Sequence, residues 1–428
     1  MAAADDVNRD DGRAFGAGLV ERLDAAIDDR HPVAVTGAEL DRRRAAAAAA
    51  MTADGFDLLV GFAPASIAYL TGMTVTPAER PVAVLLDGDG RRTVFVPRLV
   101  RERTETLASA ERVVSYPEFP SRQHPMRHLA ALIAETAPGA ARIVAEADGY
   151  PWINGYAGPP LADVLSGPSI HVDPAFVARF RLVKSFEELV LLRHACRWAE
   201  RAHRELQSAV APGRRESAVA GAATGAAMAA FRGALGDRPE LRRDSRVFAG
   251  FGGQVGAGSA DHVPRSYDPE LVTGDVLITA VGAAVGGYHC ELERVLFIGR
   301  PRRDLADTFA VLHEMQTAAL DAIRPGRTCG EIEEVVDRLF ARHGVTDLWR
   351  HHVGHGLGLE PREAPFFDVG DGTVLQPGMV LSVEPGLYLA GVAGFRQSDC
   401  IVVTEASAER LTRYPSDLSD LVCQGGPA

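Results

Sequence analysis

One phrase occurs twice in this chain, each time at the end of a long helical pattern. Val210-Ala211-Pro212-Gly213-Arg214 is echoed by Ile323-Arg324-Pro325-Gly326-Arg327. Proline and glycine stop a helix and turn the chain, and each phrase leads into another helical stretch. The echo suggests two related halves. The first of these helices also announces its start. Ser185 stands three residues before Glu188, a capping-box pattern, and Phe186, Leu189, Leu192, Trp198, Ala202, Leu206 and Val210 recur at helical spacing. Strand-like apolar runs lie between and after the helix pairs, at 276–279, 294–298, 379–383 and 400–403.

At 428 residues the chain is long enough for two or three domains. Residues 1–15 are polar and read as a disordered N-terminus. A helix over 38–54 and short apolar strands at 57–62, 82–86, 93–96 and 142–145 make 16–178 an α/β domain, and 179–428 form a second. The composition, 46% hydrophobic and 24% charged, is that of an ordinary globular protein. A net charge of −12 argues against a nucleic-acid partner. No apolar run reaches membrane-spanning length, and the acidic start lacks the basic and apolar regions of a secretion signal. The cysteines, at 196, 290, 329, 400 and 423, show no CxxC pair, which fits reduced thiols in the cytoplasm. Lys184 is the only lysine, so Schiff-base chemistry has one candidate, and its place at a helix entry reads as structural.

Four segments carry chemistry. They are Gly287-Tyr288-His289-Cys290-Glu291-Leu292-Glu293-Arg294, Gly354-His355-Gly356-Leu357-Gly358, Val383-Glu384-Pro385-Gly386 and Arg396-Gln397-Ser398-Asp399. Their order and spacing resemble the catalytic half of the pita-bread enzymes: methionine aminopeptidase, Xaa-Pro aminopeptidase, prolidase and creatinase. The resemblance covers 180–415 and is looser upstream. It implies an α/β (α+β) fold, with an N-terminal creatinase-like domain and a C-terminal pita-bread domain of two pseudo-symmetric halves. In the family's peptidases two Asp, one His and two Glu hold a pair of metal ions. The matching positions here read Ala280, Glu291, His355, Glu384 and Ser398. A methyl group donates nothing and a neutral hydroxyl is a poor ligand. The expectation is therefore no metal cofactor. A single ion on Glu291, His355 and Glu384, with His289 as a further donor, is the alternative, since catalytic sites can work with three protein ligands.

Within the family, four local features resemble creatinase. Glu291-Leu292-Glu293-Arg294 is similar to its Ala-Leu-Glu-Arg stretch. Pro361-Arg362-Glu363-Ala364-Pro365 carries arginine where peptidases have histidine. Asp261-His262-Val263-Pro264 is similar to the phrase holding its general acid and base. Glu79-Arg80-Pro81 is similar to a Gly-Arg-Pro phrase whose arginine reaches a neighbouring subunit's site. The resemblance implies a metal-independent hydrolase that cleaves a C–N bond in a small carboxylate-bearing amidine, guanidine or amide. His262 would shuttle the proton, and Glu293 and Glu384 would bind the cationic group and orient water. Arg80, from across a homodimer, and Arg362 would hold the carboxylate, with His355, Glu291, Ser398 and His289 lining the substrate. Three carboxylates in one pocket repel one another and raise one another's pKa, which suits a zwitterionic substrate. The alternatives are a metal-dependent Xaa-Pro dipeptidase or aminopeptidase with a depleted site, an ectoine-hydrolase-like or lyase activity, and a non-catalytic binding protein.

Overall fold

The computed structural model describes residues 15–27, 34–119, 121–151, 154–236, 245–261 and 268–424. They fall into two compact units. One is Val35–Leu182; the other is Val183–Ala428 together with the described part of Met1–Ala34.

The Val35–Leu182 unit is built on a six-stranded mixed sheet. Its order is Arg112–Tyr116, Arg92–Pro97, Ala83–Asp87, Leu58–Gly61, Arg142–Ala145 and Ser169–Val172. The central strand Leu58–Gly61 runs antiparallel to Ala83–Asp87 and parallel to Arg142–Ala145, and all four of its residues are buried. A strand covered on both faces reads as an unbroken apolar run, which is how Leu58-Leu59-Val60 stands in the sequence. The helix Gly37–Ala53 begins at Thr36, whose side chain accepts the Glu39 N–H.

In the other unit, the helix Phe186–Ala209 opens with the full capping box. Ser185 accepts the Glu188 N–H, and Glu188 accepts the Ser185 N–H. The helix Leu19–Ala26 packs against it, with Arg193 bonded to Asp24, so this N-terminal stretch groups with the second unit rather than with the first sheet. The first half continues with the helix Glu216–Leu235 and a three-stranded sheet of Arg246–Gly250, Ala280–Val285 and Tyr288–Leu292. The second half has the helices Arg303–Ala322 and Cys329–His343. Its five-stranded sheet runs Glu363–Phe367, Gly354–Gly356, Val380–Val383, Asp399–Val403 and Ala408–Arg410.

The repeated phrase is a repeated structure. Gly213 N–H donates to Leu271 O and Leu271 N–H to Arg214 O, both at 2.8 Å; Gly326 N–H donates to Leu375 O at 3.0 Å and Leu375 N–H to Arg327 O at 2.8 Å. Both glycines sit at positive φ, 80° and 88°, where a side chain would be strained. Each following arginine turns back to cap its own helix, Arg214 on Ala209 O and Arg327 on Ala322 O.

One expectation is corrected. The helix Glu216–Leu235 is long and apolar enough to cross a membrane by length and composition. Its hydropathy comes from many alanines with a few widely spaced larger apolar residues, so no dense apolar run stands out in the sequence. Val219, Ala223, Ala227, Phe231 and Leu235 form one buried stripe facing the helix Phe186–Ala209 and the strand Arg246–Gly250.

Candidate active site

The site is built from strands that meet near Ser398. A hairpin supplies the first carboxylate. Gly286 and Gly287 form its two-residue turn at φ 56° and 84°, the mirror-image turn that matches strand twist. It pairs Val285 with Tyr288 and Gly282 with Glu291. Strand alternation then puts His289, Glu291 and Glu293 on one face and Tyr288, Cys290 and Leu292 on the other. Ala280, two residues from Gly282, faces the same way as Glu291 with only a methyl group.

His355 comes from the middle of the strand Gly354–Gly356, between two paired neighbours. The flanking glycines have a steric reason. A Cβ at Gly354 would run into the Ser382 carbonyl, and one at Gly356 into the Ala364 carbonyl. The strand is anchored from behind by Glu333, which accepts the Val353 N–H at 2.8 Å. Glu384 follows the strand Val380–Val383, its own N–H donating to Val353 O at 2.6 Å.

Three of the expected residues converge. Ligand atoms of Glu291, His355 and Glu384 all lie within 4.8 Å of one another. His355 is fully buried. Its Nδ1 is 2.9 Å from Gly356 O; a carbonyl only accepts, so Nδ1 carries a proton. In the neutral ring Nε2 is then a bare lone pair, and it has no hydrogen-bond partner among the described residues. Glu384 Oε1 is 3.2 Å away but out of line for a hydrogen bond. Burial presses the His355 pKa down, but the contact with Glu384 and the charges of Glu291 and Glu384 carry it up to about 9. The pocket thus draws positive charge to Nε2, and a cation answers that field as well as a proton does. A second-sphere carbonyl holding the far ring nitrogen is the usual arrangement of a metal-binding histidine.

The set fits one ion and not two. The Ser398 hydroxyl, where a second carboxylate would stand, is 2.8 Å from Glu291 Oε1. Ser382 Oγ is 3.1 Å from the same oxygen and 2.8 Å from Ser398 Oγ. The two serines therefore serve as donors to Glu291 rather than as charged ligands. Burial and the neighbouring Glu384 raise the Glu291 pKa.

Glu293 is engaged elsewhere. Arg396 grips it with Nε on Oε2 and with Nη2 on Oε1 at 2.6 Å. Burial raises the Glu293 pKa, and the two-pronged contact with Arg396 opposes that rise. Arg396 also donates to Tyr388 OH at 2.9 Å and Gln254 Oε1 at 3.1 Å. Tyr388 OH lies 2.9 Å from His351 Nε2, whose other nitrogen donates to His352 O. Sequence reasoning missed Arg396, Tyr388 and Gln254. Beneath the site Arg294, fully buried, bonds to Glu293 O, Ser398 O, Asp399 Oδ1, Tyr414 O and Pro415 O.

The other expected residues are distributed as follows. His289 lies on the Glu291 face, and burial together with Arg246 lowers its pKa to about 4. Arg362 is exposed at the start of the strand Glu363–Phe367, and its charge lowers the pKa of Glu291 and Glu293. Its neighbour Glu363 is paired with Lys184 at 3.0 Å, both buried, which agrees with the structural reading of the lone lysine. Arg80, in the Val35–Leu182 unit, pairs with Glu118 at 2.7 Å and with Glu79. His262 lies outside the described residues.

Comparison with known proteins places this geometry. Residues 190–405 match the model of metallopeptidase family M24, and residues 43–154 match the creatinase/prolidase N-terminal domain. The chain is 32% identical over 384 residues to the probable dipeptidase PepE of Mycobacterium tuberculosis, covering 89% of this chain and 96% of the relative. It is 29% identical over 238 residues to the Xaa-Pro dipeptidase of Pyrococcus furiosus, covering 56% and 65%. Dipeptidase PepE from Mycobacterium ulcerans superposes with a TM-score of 0.75 at 28% identity, covering 90% of this chain and 98% of that one.

Two expectations are corrected by these findings. The metal-independent hydrolase of a non-peptide C–N bond gives way, because the relatives that match nearly end to end are named dipeptidases. The creatinase-like features rest on short phrases, whereas the peptidase likeness runs through the whole chain. The expected absence of a metal cofactor also gives way. The family is a metallopeptidase family, and Glu291, His355 and Glu384 converge as a ligand set. Loss of two ligands argues against a pair of ions, but not against one.

Proposed function

Because the chain belongs to metallopeptidase family M24 and is a hydrolase of that family, we propose that it cleaves small dipeptides, Xaa-Pro dipeptides among them, using one divalent ion at Glu291, His355 and Glu384. The observation that carries this reading is the convergence of the buried His355 Nε2 with the Glu291 and Glu384 carboxylates, all within 4.8 Å of one another. The dipeptidase names of the relatives supply the substrate class.

When bound, the ion supplies Lewis acidity toward the scissile carbonyl. Glu384 takes the proton of the attacking water. Of the three site carboxylates, Glu291 is held by two serine hydroxyls and Glu293 by Arg396, so Glu384 is the one left to act as a base. Arg362, exposed and positive, binds the carboxylate end of the dipeptide. His262 delivers a proton to the leaving nitrogen. The active form in this reading is a cytoplasmic homodimer, with Arg80 of one copy serving the carboxylate end in the other. A reducing cytoplasm suits five cysteines that are all free thiols.

The test is turnover of a panel of dipeptides before and after dialysis against a chelator, with elemental analysis of the protein. Activity that vanishes in chelator and returns with a divalent ion, at about one ion per chain, supports the reading. Undiminished dipeptide cleavage by metal-free protein overturns it.

A further inference from the structure

Cys196, Cys290 and Cys400 lie far apart in sequence and meet in the core. Their sulfurs all fall within 4.8 Å of one another, with Cys290 Sγ and Cys400 Sγ 3.8 Å apart. Each sits on a different element: Cys196 on the helix Phe186–Ala209, Cys290 on the strand Tyr288–Leu292 and Cys400 on the strand Asp399–Val403. All three are buried. We propose that they form a second metal site, a trithiolate that takes one thiophilic cation such as Zn(II) or Cu(I).

The donor set decides the class of ion. Three soft sulfurs select Cu(I), Zn(II) or similar ions, whereas the carboxylates and imidazole of the candidate active site suit harder or borderline ones. The two sets stay separate because alternate residues of one strand face opposite ways: Glu291 points to one side and Cys290 to the other. Against its burial, the neighbouring Cys290 and Cys400 sulfurs and the charge of Arg193, one turn before Cys196, favour the Cys196 thiolate. Burial and the sulfur contacts hold the Cys290 and Cys400 thiols well above the ordinary thiol range, so the ion must displace their protons. Arg193 is itself held by Asp24, Glu200 and Leu411 O. Binding releases the thiol protons to solvent, up to one for each sulfur.

The site has a structural consequence. Cys400 Sγ contacts both backbone groups of Glu291, its N–H at 3.4 Å and its carbonyl at 3.2 Å. An ion on the three sulfurs ties a helix and two strands together directly behind that residue. It fixes the position of Glu291 without touching its carboxylate.

The experiment uses the full chain, reduced, stripped by chelator and kept free of oxygen. Cd(II) is the probe, because its thiolate complexes show a charge-transfer absorption in the ultraviolet that oxygen and nitrogen ligands do not give. The band should grow to saturation at about one equivalent. Cys196→Ala and, separately, Cys400→Ala should weaken the Cd(II) binding read by this band by about tenfold or more, since even lost second-sphere contacts cost that much. Far-ultraviolet circular dichroism checks that each variant is folded, and a result from either folded variant is sufficient. Cys196→Ala should still bind Mn(II), followed by electron paramagnetic resonance, and His355→Ala should keep the Cd(II) band. Three results overturn the proposal: Cd(II) binding without the band, an unchanged band in a folded cysteine variant, or an intact mass showing a Cys290–Cys400 disulfide in protein isolated without added oxidant.

Discussion

Glu333→Gln should make this protein more stable at high pH and slightly less stable at low pH. Glu333 is 2% exposed on the helix Cys329–His343. One carboxylate oxygen accepts the Val353 N–H; the other has no partner among the described residues. Burial raises its pKa, and the charges of Asp337 and Asp368 add to the rise, taking it from 4.5 to about 8. Between those values the folded protein keeps a proton that the unfolded chain has released. Stability therefore falls as pH rises through the window, by roughly 1.4 kcal/mol per unit, or about 4–5 kcal/mol in all. Glutamine has nothing to ionise, and its carbonyl can still accept from Val353. Its extra N–H finds no acceptor, at a cost of ~1 kcal/mol. Near pH 5, where the parent has already lost ~1 kcal/mol of this contribution, the two proteins should be about equally stable; the variant's deficit of ~1 kcal/mol appears below about pH 4, and above about pH 8 it should be ~3–4 kcal/mol more stable. The assay is urea unfolding of both proteins in chelator, from about pH 5 to about pH 9, comparing the difference at each pH. A difference that stays constant within ~1 kcal/mol, or that moves the other way, would refute the assignment of a protonated, buried carboxyl at this position.

Arg294→Met should cost about 3–5 kcal/mol, because it leaves the Asp399 carboxylate buried without its cation; an unfolding measurement showing less than ~1 kcal/mol would contradict the role given to that pair. Ala280→Asp combined with Ser398→Glu should raise the bound metal from about one ion toward about two per chain, as in two-metal sites; elemental analysis showing no increase would mean that more than these two ligands separates one-ion from two-ion chemistry. Arg80→Ala should raise KM for a dipeptide by about 10–100-fold with kcat little changed, the signature of lost substrate binding, and an unaltered KM would remove Arg80 from the site.

The sequence was most readable where one residue has one local job. The Ser185–Glu188 capping box and the glycines that end two helices act within a few residues, and the fold shows both. The job of the glycines around His355 lies in strand packing, since only a residue without Cβ lets the neighbouring backbone approach that closely. Long-range partnerships were not legible. Arg396 meets Glu293 across 103 positions, so Glu293 read as a free carboxylate when most of its charge is answered by a guanidinium. The tautomer of His355 depends on a neighbouring carbonyl whose direction no side-chain pattern encodes. The cysteines at 196, 290 and 400 looked scattered for the same reason: strand order, not spacing, brings them together. Short creatinase-like phrases pulled the functional reading toward a metal-free reaction, while the candidate ligand set comes from three segments far apart in the chain.

The two-glycine turn at Gly286 and Gly287 governs which changes this region can tolerate. It sets the hairpin register, and the register decides which side chain of the strand Tyr288–Leu292 faces the His355 cluster. A deletion that slips that strand by one place turns it over. A thiol would then point toward the imidazole and a carboxylate into the sulfur cluster, so one lesion would put the wrong donor in both places at once. Added residues can instead be taken up by a longer loop that keeps the pairing. Shortening this turn should therefore be tolerated less well than lengthening it.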